Sequence, residues 1–64
     1  MKTIYDADAD ALYVRFADAS VVESEEVADG VVLDFDVEGR IVAIELLDAT
    51  KHLAAGAQLP TAAE

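Results

Sequence analysis

The chain contains no cysteine and a single histidine, and these shortages remove the usual devices that hold very small domains together. Without cysteine there is no disulfide bond and no thiolate zinc site, and one histidine excludes an imidazole cluster. The 64 residues allow one domain, which at this size buries only about 60% of the surface of its unfolded chain. We therefore expect a second chain to contribute to stability.

Basic residues are also scarce, with four against fourteen acidic residues, which gives a formal charge of −10. This charge repels phosphate backbones and anionic headgroups, so we expect neither nucleic acid nor a membrane as a partner. The longest apolar run, Ile41 to Leu47, is interrupted by Glu45 and is far shorter than the ~20 residues of a membrane span. No apolar segment follows Lys2, so we predict no secretory signal and a cytoplasmic location.

Apolar residues in the first half of the chain follow the period of short strands. Lys2 to Tyr5, an acidic turn at Asp6 to Asp10 and a second strand at Ala11 to Phe16 predict a hairpin. In the second strand the apolar residues recur every two positions and share one face: Leu12, Val14 and Phe16. A third strand, Val21 to Val27, carries Glu23, Glu25 and Glu26, which is typical of a sheet edge where charge discourages pairing.

The strongest local pattern is a second hairpin, in which Val31 to Asp36 and Arg40 to Leu47 flank a three-residue loop ending in Gly39. Such loops place their third residue in the left-handed region, which glycine enters without a steric penalty. If the ladder is regular, Phe35 pairs with Ile41, Leu33 with Ala43, Asp34 with Val42 and Val32 with Ile44. Both faces of the sheet are then expected to carry apolar side chains.

A short helix is predicted after the last strand. It begins with Asp48 as N-cap, runs through Ala55 for about two turns and stops at Gly56. We expect one domain over residues 1–56 and a frayed tail over 57–64. The predicted fold class is α+β, a small antiparallel β-sheet of about five strands in hairpins with one short C-terminal helix.

Several motifs of the chain recur in a known family. The opening Tyr-Asp is followed by Asp-Ala-Leu-Tyr, and Leu-Asp-Phe-Asp is followed by Gly-Arg. In this the chain resembles the short bacterial proteins of domain-of-unknown-function family 2283. The resemblance implies a compact strand-rich fold with a C-terminal helix, and no established activity, cofactor or catalytic residue. Its residues are Tyr5, Asp6, Ala9 to Val14, Glu23 to Glu26, Gly30, Val32, Leu33, Asp34, Asp36, Gly39, Arg40, Ile44, Glu45, Leu47, Asp48 and Ala49.

The second hairpin also matches part of a calcium-loop pattern, because acidic residues and a glycine occupy positions one, three, five, six and twelve: Asp34, Asp36, Glu38, Gly39 and Glu45. Calcium loops lie between helices, whereas strand-forming residues flank this one and would splay the carboxylates apart. Asp34 and Asp36 share a strand face as a possible acid–base pair, but no cleft to desolvate one of them is evident. We favour solvated acids in both cases and assign no metal, cofactor or catalytic residue.

Other reactive residue types are isolated in the sequence. His52 has no predicted partner, Thr50 and Ser24 lack a base that the sequence could place beside them, and Tyr5 and Tyr13 are expected to pack together. We therefore expect no enzyme, but an acidic interaction module that forms a homo-oligomer, most simply a dimer, and binds a basic protein partner. Two alternatives stay open: a divalent-cation binder using Asp34 to Glu45 or Asp6 to Asp10, and an antitoxin-like binder of a basic partner.

Overall fold

The computed structural model describes residues 1–60, which form a single antiparallel sheet followed by one turn of helix. The strand order across the sheet is β1-β2-β5-β4-β3. The predicted α+β class, with five strands and one short C-terminal helix, is confirmed. The elements are β1 (Lys2–Asp6), β2 (Ala11–Arg15), β3 (Glu23–Ala28), β4 (Val31–Phe35), β5 (Ile41–Leu47) and α1 (Ala49–His52).

The most apolar strand, β5, lies at the centre of the sheet. It pairs with β2 on one side and β4 on the other, so Val42 and Ala43 lose almost all contact with solvent. The acidic strand β3 lies at the edge, as its glutamates predicted. Arg15 stabilises the long β2–β3 loop, because its guanidinium donates hydrogen bonds to the backbone carbonyls of Ala17 and Ala19.

The β4–β5 hairpin closes as predicted. The Asp36 N–H donates to the Arg40 carbonyl at 2.9 Å, and the Gly39 N–H donates to the Asp36 carbonyl at 3.0 Å. Gly39 has φ +80°, the left-handed conformation expected of the third loop residue. The Asp36 carboxylate also accepts the N–H groups of Glu38 and Arg40, which satisfies the loop backbone.

The register beyond the loop differs from the regular ladder. Phe35 does pair with Ile41, but a β-bulge follows, so that Asp34 pairs with Ala43, Leu33 with Ile44 and Val32 with Glu45. The prediction that Val32 and Ile44 share a face is therefore wrong. The bulge adds one residue to β5 and shifts every later partner by one position.

As a consequence, the aliphatic residues of the central strands collect on one face of the sheet. Directly paired residues have side chains on the same face, and the register joins Leu12 to Leu46, Val14 and Leu33 to Ile44, and Val31 to Leu46. We call this set the apolar face: Leu12, Val14, Val31, Leu33, Ile44 and Leu46. The opposite face is mixed, with Ile4, Tyr13, Val32, Asp34 and Glu45.

The helix is shorter than predicted. It covers Ala49–His52, one turn instead of two, because Leu53 is already extended with φ −95° and ψ 150°. Asp48 is not a conventional N-cap, since its backbone is left-handed, with φ 53°, and its side chain makes no capping hydrogen bond. Leu59 and Pro60, within the expected tail, are half-buried, and residues 61–64 lie outside the described residues.

Little of the molecule is fully buried. In the described part of the chain, four residues lose nearly all contact with solvent: Gly30, Val42, Ala43 and Ala49. Within residues 1–60 no helix is long and apolar enough to cross a membrane. The sheet is thus built around one central strand and not around a two-layer core.

Candidate functional site

The densest polar cluster surrounds Asp10, at the end of the β1–β2 turn. Asp10 adopts a left-handed backbone with φ 53°, a conformation that aspartate tolerates better than most residues. Its carboxylate accepts the Tyr5 hydroxyl at 2.7 Å, the Thr50 hydroxyl at 2.7 Å and the Thr50 N–H at 3.2 Å. Its carbonyl accepts the Ala49 N–H at 2.8 Å. This cluster, which we call the Asp10 junction, attaches the first turn of the sheet to the start of α1.

The ionisation of the junction follows from these hydrogen bonds. The Tyr5 hydroxyl, and after it the Thr50 hydroxyl, stabilise the carboxylate and lower the pKa of Asp10 below its ordinary value, against a smaller opposing effect of burial. The same bond raises the pKa of Tyr5 above its ordinary value, assisted by burial and by the negative charges of Asp10 and Asp6. At neutral pH Asp10 is therefore ionised and Tyr5 is protonated.

This arrangement suits attachment better than catalysis. A general base works best when its pKa lies near the operating pH, whereas the pKa of Asp10 is moved further away from neutrality. The Thr50 N–H that Asp10 accepts is one of the first free N–H groups of α1, so Asp10 performs the capping role expected of Asp48. The Asp10 junction therefore has a structural role, which is to connect the β1–β2 turn to α1.

A second close contact joins the end of α1 to the β3–β4 turn. Gly30 has φ +79°, and a Cβ placed on it would lie 2.7 Å from His52 Nε2 and 2.9 Å from the Leu47 carbonyl oxygen. Its N–H donates to the Glu26 carboxylate at 2.9 Å, and its carbonyl accepts the Leu47 N–H at 2.8 Å. His52 thus packs against a glycine that nothing larger can replace without displacement.

The acidic residues of the calcium-loop pattern have separate partners. The Ser24 hydroxyl donates to the Asp34 carboxylate at 2.6 Å, and the Asp36 carboxylate accepts the loop N–H groups. Glu38 lies 4.0 Å from the Arg40 guanidinium on the exposed loop, whereas Glu45 is in the middle of β5. Within residues 1–60 no group of three or more histidine or acidic side chains is placed to hold a metal ion.

Asp34 and Asp36 also do not form the carboxylate pair that their spacing allowed. Asp34 bonds across the sheet to Ser24, while the carboxylate of Asp36 is turned back onto its own loop. Tyr5 and Tyr13 do not pack together either, because their partners Leu12 and Ile4 lie on opposite faces of β1 and β2. Tyr13 instead accepts a hydrogen bond from Arg15 at 3.1 Å.

The remaining candidate is the apolar face. All six of its side chains remain partly exposed in the described structure. The sheet of five strands is ~19 Å across, at a spacing of ~4.8 Å, whereas a helix of four residues is only ~6 Å long. A helix of this length is therefore too short to cover the face.

The sequence does not identify Asp10 as the centre of a polar cluster. Asp10 is one of five residues in the predicted acidic turn, and the pattern of a strand and a turn carries no information about which distant N–H groups they meet. Two similar dipeptides could have indicated the junction, since Asp10-Ala11 and Asp48-Ala49 lie at adjacent ends of the paired strands β2 and β5.

Fold and site together define a small antiparallel β-sheet domain whose polar clusters hold the chain together. The model of the family described as "Protein of unknown function (DUF2283)" matches residues 2–49, three quarters of the chain. The protein belongs to this family, as its motifs indicated. Comparison with curated proteins gives no match, and comparison with solved structures gives none either.

Proposed function

We propose that the protein is a non-catalytic interaction module that self-associates through the apolar face. The observation that supports this is the contrast between six partly exposed aliphatic side chains on one face and only four fully buried residues in the described chain. Contiguous apolar patches of several hundred Å² on soluble proteins usually mark an interface. A second copy provides a complementary surface, because a two-fold dimer pairs one patch with itself.

Burial of the exposed part of this face would favour association. Complete burial of an aliphatic side chain contributes about 1.5–3 kcal/mol, and because most of each of these side chains is already buried, the remaining gain is at most about 1 kcal/mol each. The six residues of the apolar face would together contribute up to about 6 kcal/mol per chain. None of the six is ionisable, and on the same face Glu25 pairs with Leu33 at the border of the patch.

The acidic charge has a different role in this proposal. Glu23, Glu25 and Glu26 are exposed on the edge strand β3, at the border of the aliphatic patch, where Glu25 pairs with Leu33. Charges at the rim of an interface govern the rate and specificity of binding more than its affinity. We propose that this edge presents negative charge to a basic protein partner. A cytoplasmic location is part of the proposal, because a chain without cysteine gains nothing from an oxidising compartment.

Neighbouring residues of β4 provide the test. Leu33 belongs to the apolar face, whereas Val32, beside it in the chain, is similarly half-buried on the opposite face. Leu33→Asp should lower the mass measured by size-exclusion chromatography with light scattering at micromolar concentration, and Val32→Asp should leave it unchanged. Circular dichroism of both variants controls for folding.

Two results would contradict the proposal. One is a wild-type protein that is a monomer of 6.8 kDa with a melting temperature independent of concentration. The other is an equal loss of mass in the two variants, because it would show that association does not distinguish the two faces of the sheet.

A further inference from the structure

The two edges of the sheet are unequally protected against pairing with another strand. β3 carries three glutamates, and its register with β4 is broken by a bulge between Glu26 and Ala28. Charge and bulges are two devices that keep an edge from pairing. β1 has no bulge and pairs with β2 in an unbroken register over all five residues, Lys2–Asp6. With one lysine and one aspartate of opposite charge, β1 is therefore the less protected edge within residues 1–60.

The backbone groups on the open side of β1 can be assigned from the sheet. The Phe16 N–H donates to the Val42 carbonyl at 2.8 Å, across from β2 to β5. Because backbone groups alternate in direction along a strand, those of residues 11, 13 and 15 point the other way, toward β1. Their partners are Asp6, Ile4 and Lys2. Thr3 and Tyr5 therefore direct their N–H and C=O groups outward from the sheet.

We infer that β1 pairs antiparallel with β1 of a second copy of this chain, with a two-fold axis at Ile4. In this register Thr3 and Tyr5 of each copy exchange both hydrogen bonds, and all five residues of the strand are paired. Lys2 lies opposite Asp6 of the second copy at each end of the pair. Ile4, which is 40% exposed, lies opposite Ile4 of the second copy.

The charges select this register over its neighbours. A two-fold axis at Thr3 would place Lys2 opposite Ile4, and an axis at Tyr5 would place Ile4 opposite Asp6, so the ion pairs would be lost in both. Asp6 is available for the contact, because the hydrogen bonds from the Asp8 and Ala9 N–H groups use its Oδ1 atom. The second carboxylate oxygen remains for Lys2.

The acidic edges also lie at a favourable distance in this arrangement. Pairing through β1 makes a sheet of ten strands with a β3 at each end, ~43 Å apart at ~4.8 Å per strand. The Debye length at physiological ionic strength is ~8 Å, so the repulsion between the two glutamate edges is screened. Pairing through β3 would instead place glutamates against glutamates.

This inference rests on the proposed function in one respect, namely that the occupant of the edge is another copy of the chain. Edge pairing has its two-fold axis perpendicular to the sheet, whereas stacking of two apolar faces has an axis parallel to it. Two perpendicular two-fold axes combine into a closed tetramer. The whole face of the five-stranded sheet measures roughly 400 Å² in projection by strand spacing and length, below the ~800 Å² per partner of standard interfaces. A second contact surface therefore completes the assembly.

Disulfide trapping tests the register, and the absence of cysteine in the chain makes it free of background. In the inferred pair the Ile4 residues form a non-hydrogen-bonded pair with Cα atoms ~4.5 Å apart, within the 4.4–6.8 Å that a disulfide spans. Ile4→Cys should form a covalent dimer under mild oxidation at least ten times faster than two controls. Thr3→Cys tests the register on the same strand, and Ser24→Cys tests the β3 edge.

Light scattering separates this inference from the proposed function. Thr3→Pro removes one outward N–H group and should halve the mass, whereas Thr3→Val keeps that group and should preserve it. Leu33→Asp should leave the dimer that is paired through β1. A monomeric but folded Leu33→Asp, or equal cross-linking rates for Ile4→Cys and Ser24→Cys, would overturn edge pairing and leave face stacking intact. A monomeric wild type would overturn both.

Discussion

Gly30 and Gly39 provide a matched test of how α1 is held against the sheet. Both glycines have nearly the same left-handed backbone, with φ +79° and +80°. An alanine at either position therefore has about the same conformational strain, about 1–2 kcal/mol. Their surroundings differ, because a Cβ on Gly39 meets no atom within 4 Å, whereas on Gly30 it would lie 2.7 Å from His52 Nε2 and 2.9 Å from the Leu47 carbonyl oxygen.

The extra cost at Gly30 can be estimated from these contacts. The Leu47 oxygen belongs to a backbone segment whose N–H is bonded to the Gly30 carbonyl at 2.8 Å, so it cannot move away freely. Overpacking of this kind costs about 1–3 kcal/mol. We therefore expect Gly39→Ala to lower the free energy of unfolding by about 1–2 kcal/mol and Gly30→Ala by about 2–5 kcal/mol.

Urea denaturation followed by circular dichroism measures both losses, at one fixed chain concentration because association also contributes to stability. In a His52→Ala background one of the two contacts is removed. The cost of Gly30→Ala should then decrease but remain above that of Gly39→Ala, which should not change. Equal losses for the two glycine variants in the wild-type background would refute the packing of His52 and Leu47 against Gly30.

Two further predictions concern ionisation and metal binding. The pKa of Asp10 is lowered in the folded state. The free energy of unfolding of wild type should therefore exceed that of Asp10→Asn by its full amount above the ordinary pKa of 3.8, and this difference should disappear as the pH falls through the folded pKa. The pKa of Tyr5 is raised in the folded state. The free energy of unfolding of wild type should therefore exceed that of Tyr5→Phe by its full amount below the ordinary pKa of 10.0, and this difference should disappear as the pH rises through the folded pKa. Denaturation curves recorded at several pH values measure both differences. A difference between wild type and Asp10→Asn that increases in acid would contradict the first prediction. Millimolar calcium or magnesium should leave the melting temperature unchanged, whereas specific binding at 100 times Kd would add about 2.7 kcal/mol. A saturable shift abolished by Glu45→Gln would instead support a cation site.

The parts of the fold that depend on local patterns were predictable. The period of two in β2, the three glutamates of β3 and the glycine loop at Gly39 each follow from the chemistry of neighbouring residues, and the observed strands agree within two residues at most ends. The helix was overestimated because alanine-rich segments favour helix by propensity alone. One turn is marginal without packing, and the chain leaves the helix at Leu53. The Asp10 junction connects residues 40 apart in sequence, a contact that no local pattern encodes.

The bulge between β4 and β5 shows most clearly why the faces of the sheet could not be predicted. The loop closure was correct, and a regular ladder continued from it would have placed Leu33 opposite Ala43 and distributed the aliphatic residues over both faces. The bulge disrupts the ladder locally, at a cost of about 0.5–1.5 kcal/mol for one hydrogen bond. In return Leu33 meets Ile44 and Val31 meets Leu46, on the face that β2 already lines with Val14 and Leu12. Clustering several aliphatic side chains, each contributing up to about 1.5–3 kcal/mol when buried, outweighs that loss. The choice of register thus depends on a third strand, β2, which ends more than 15 residues before the hairpin begins, and it is this choice that gives the molecule one apolar face.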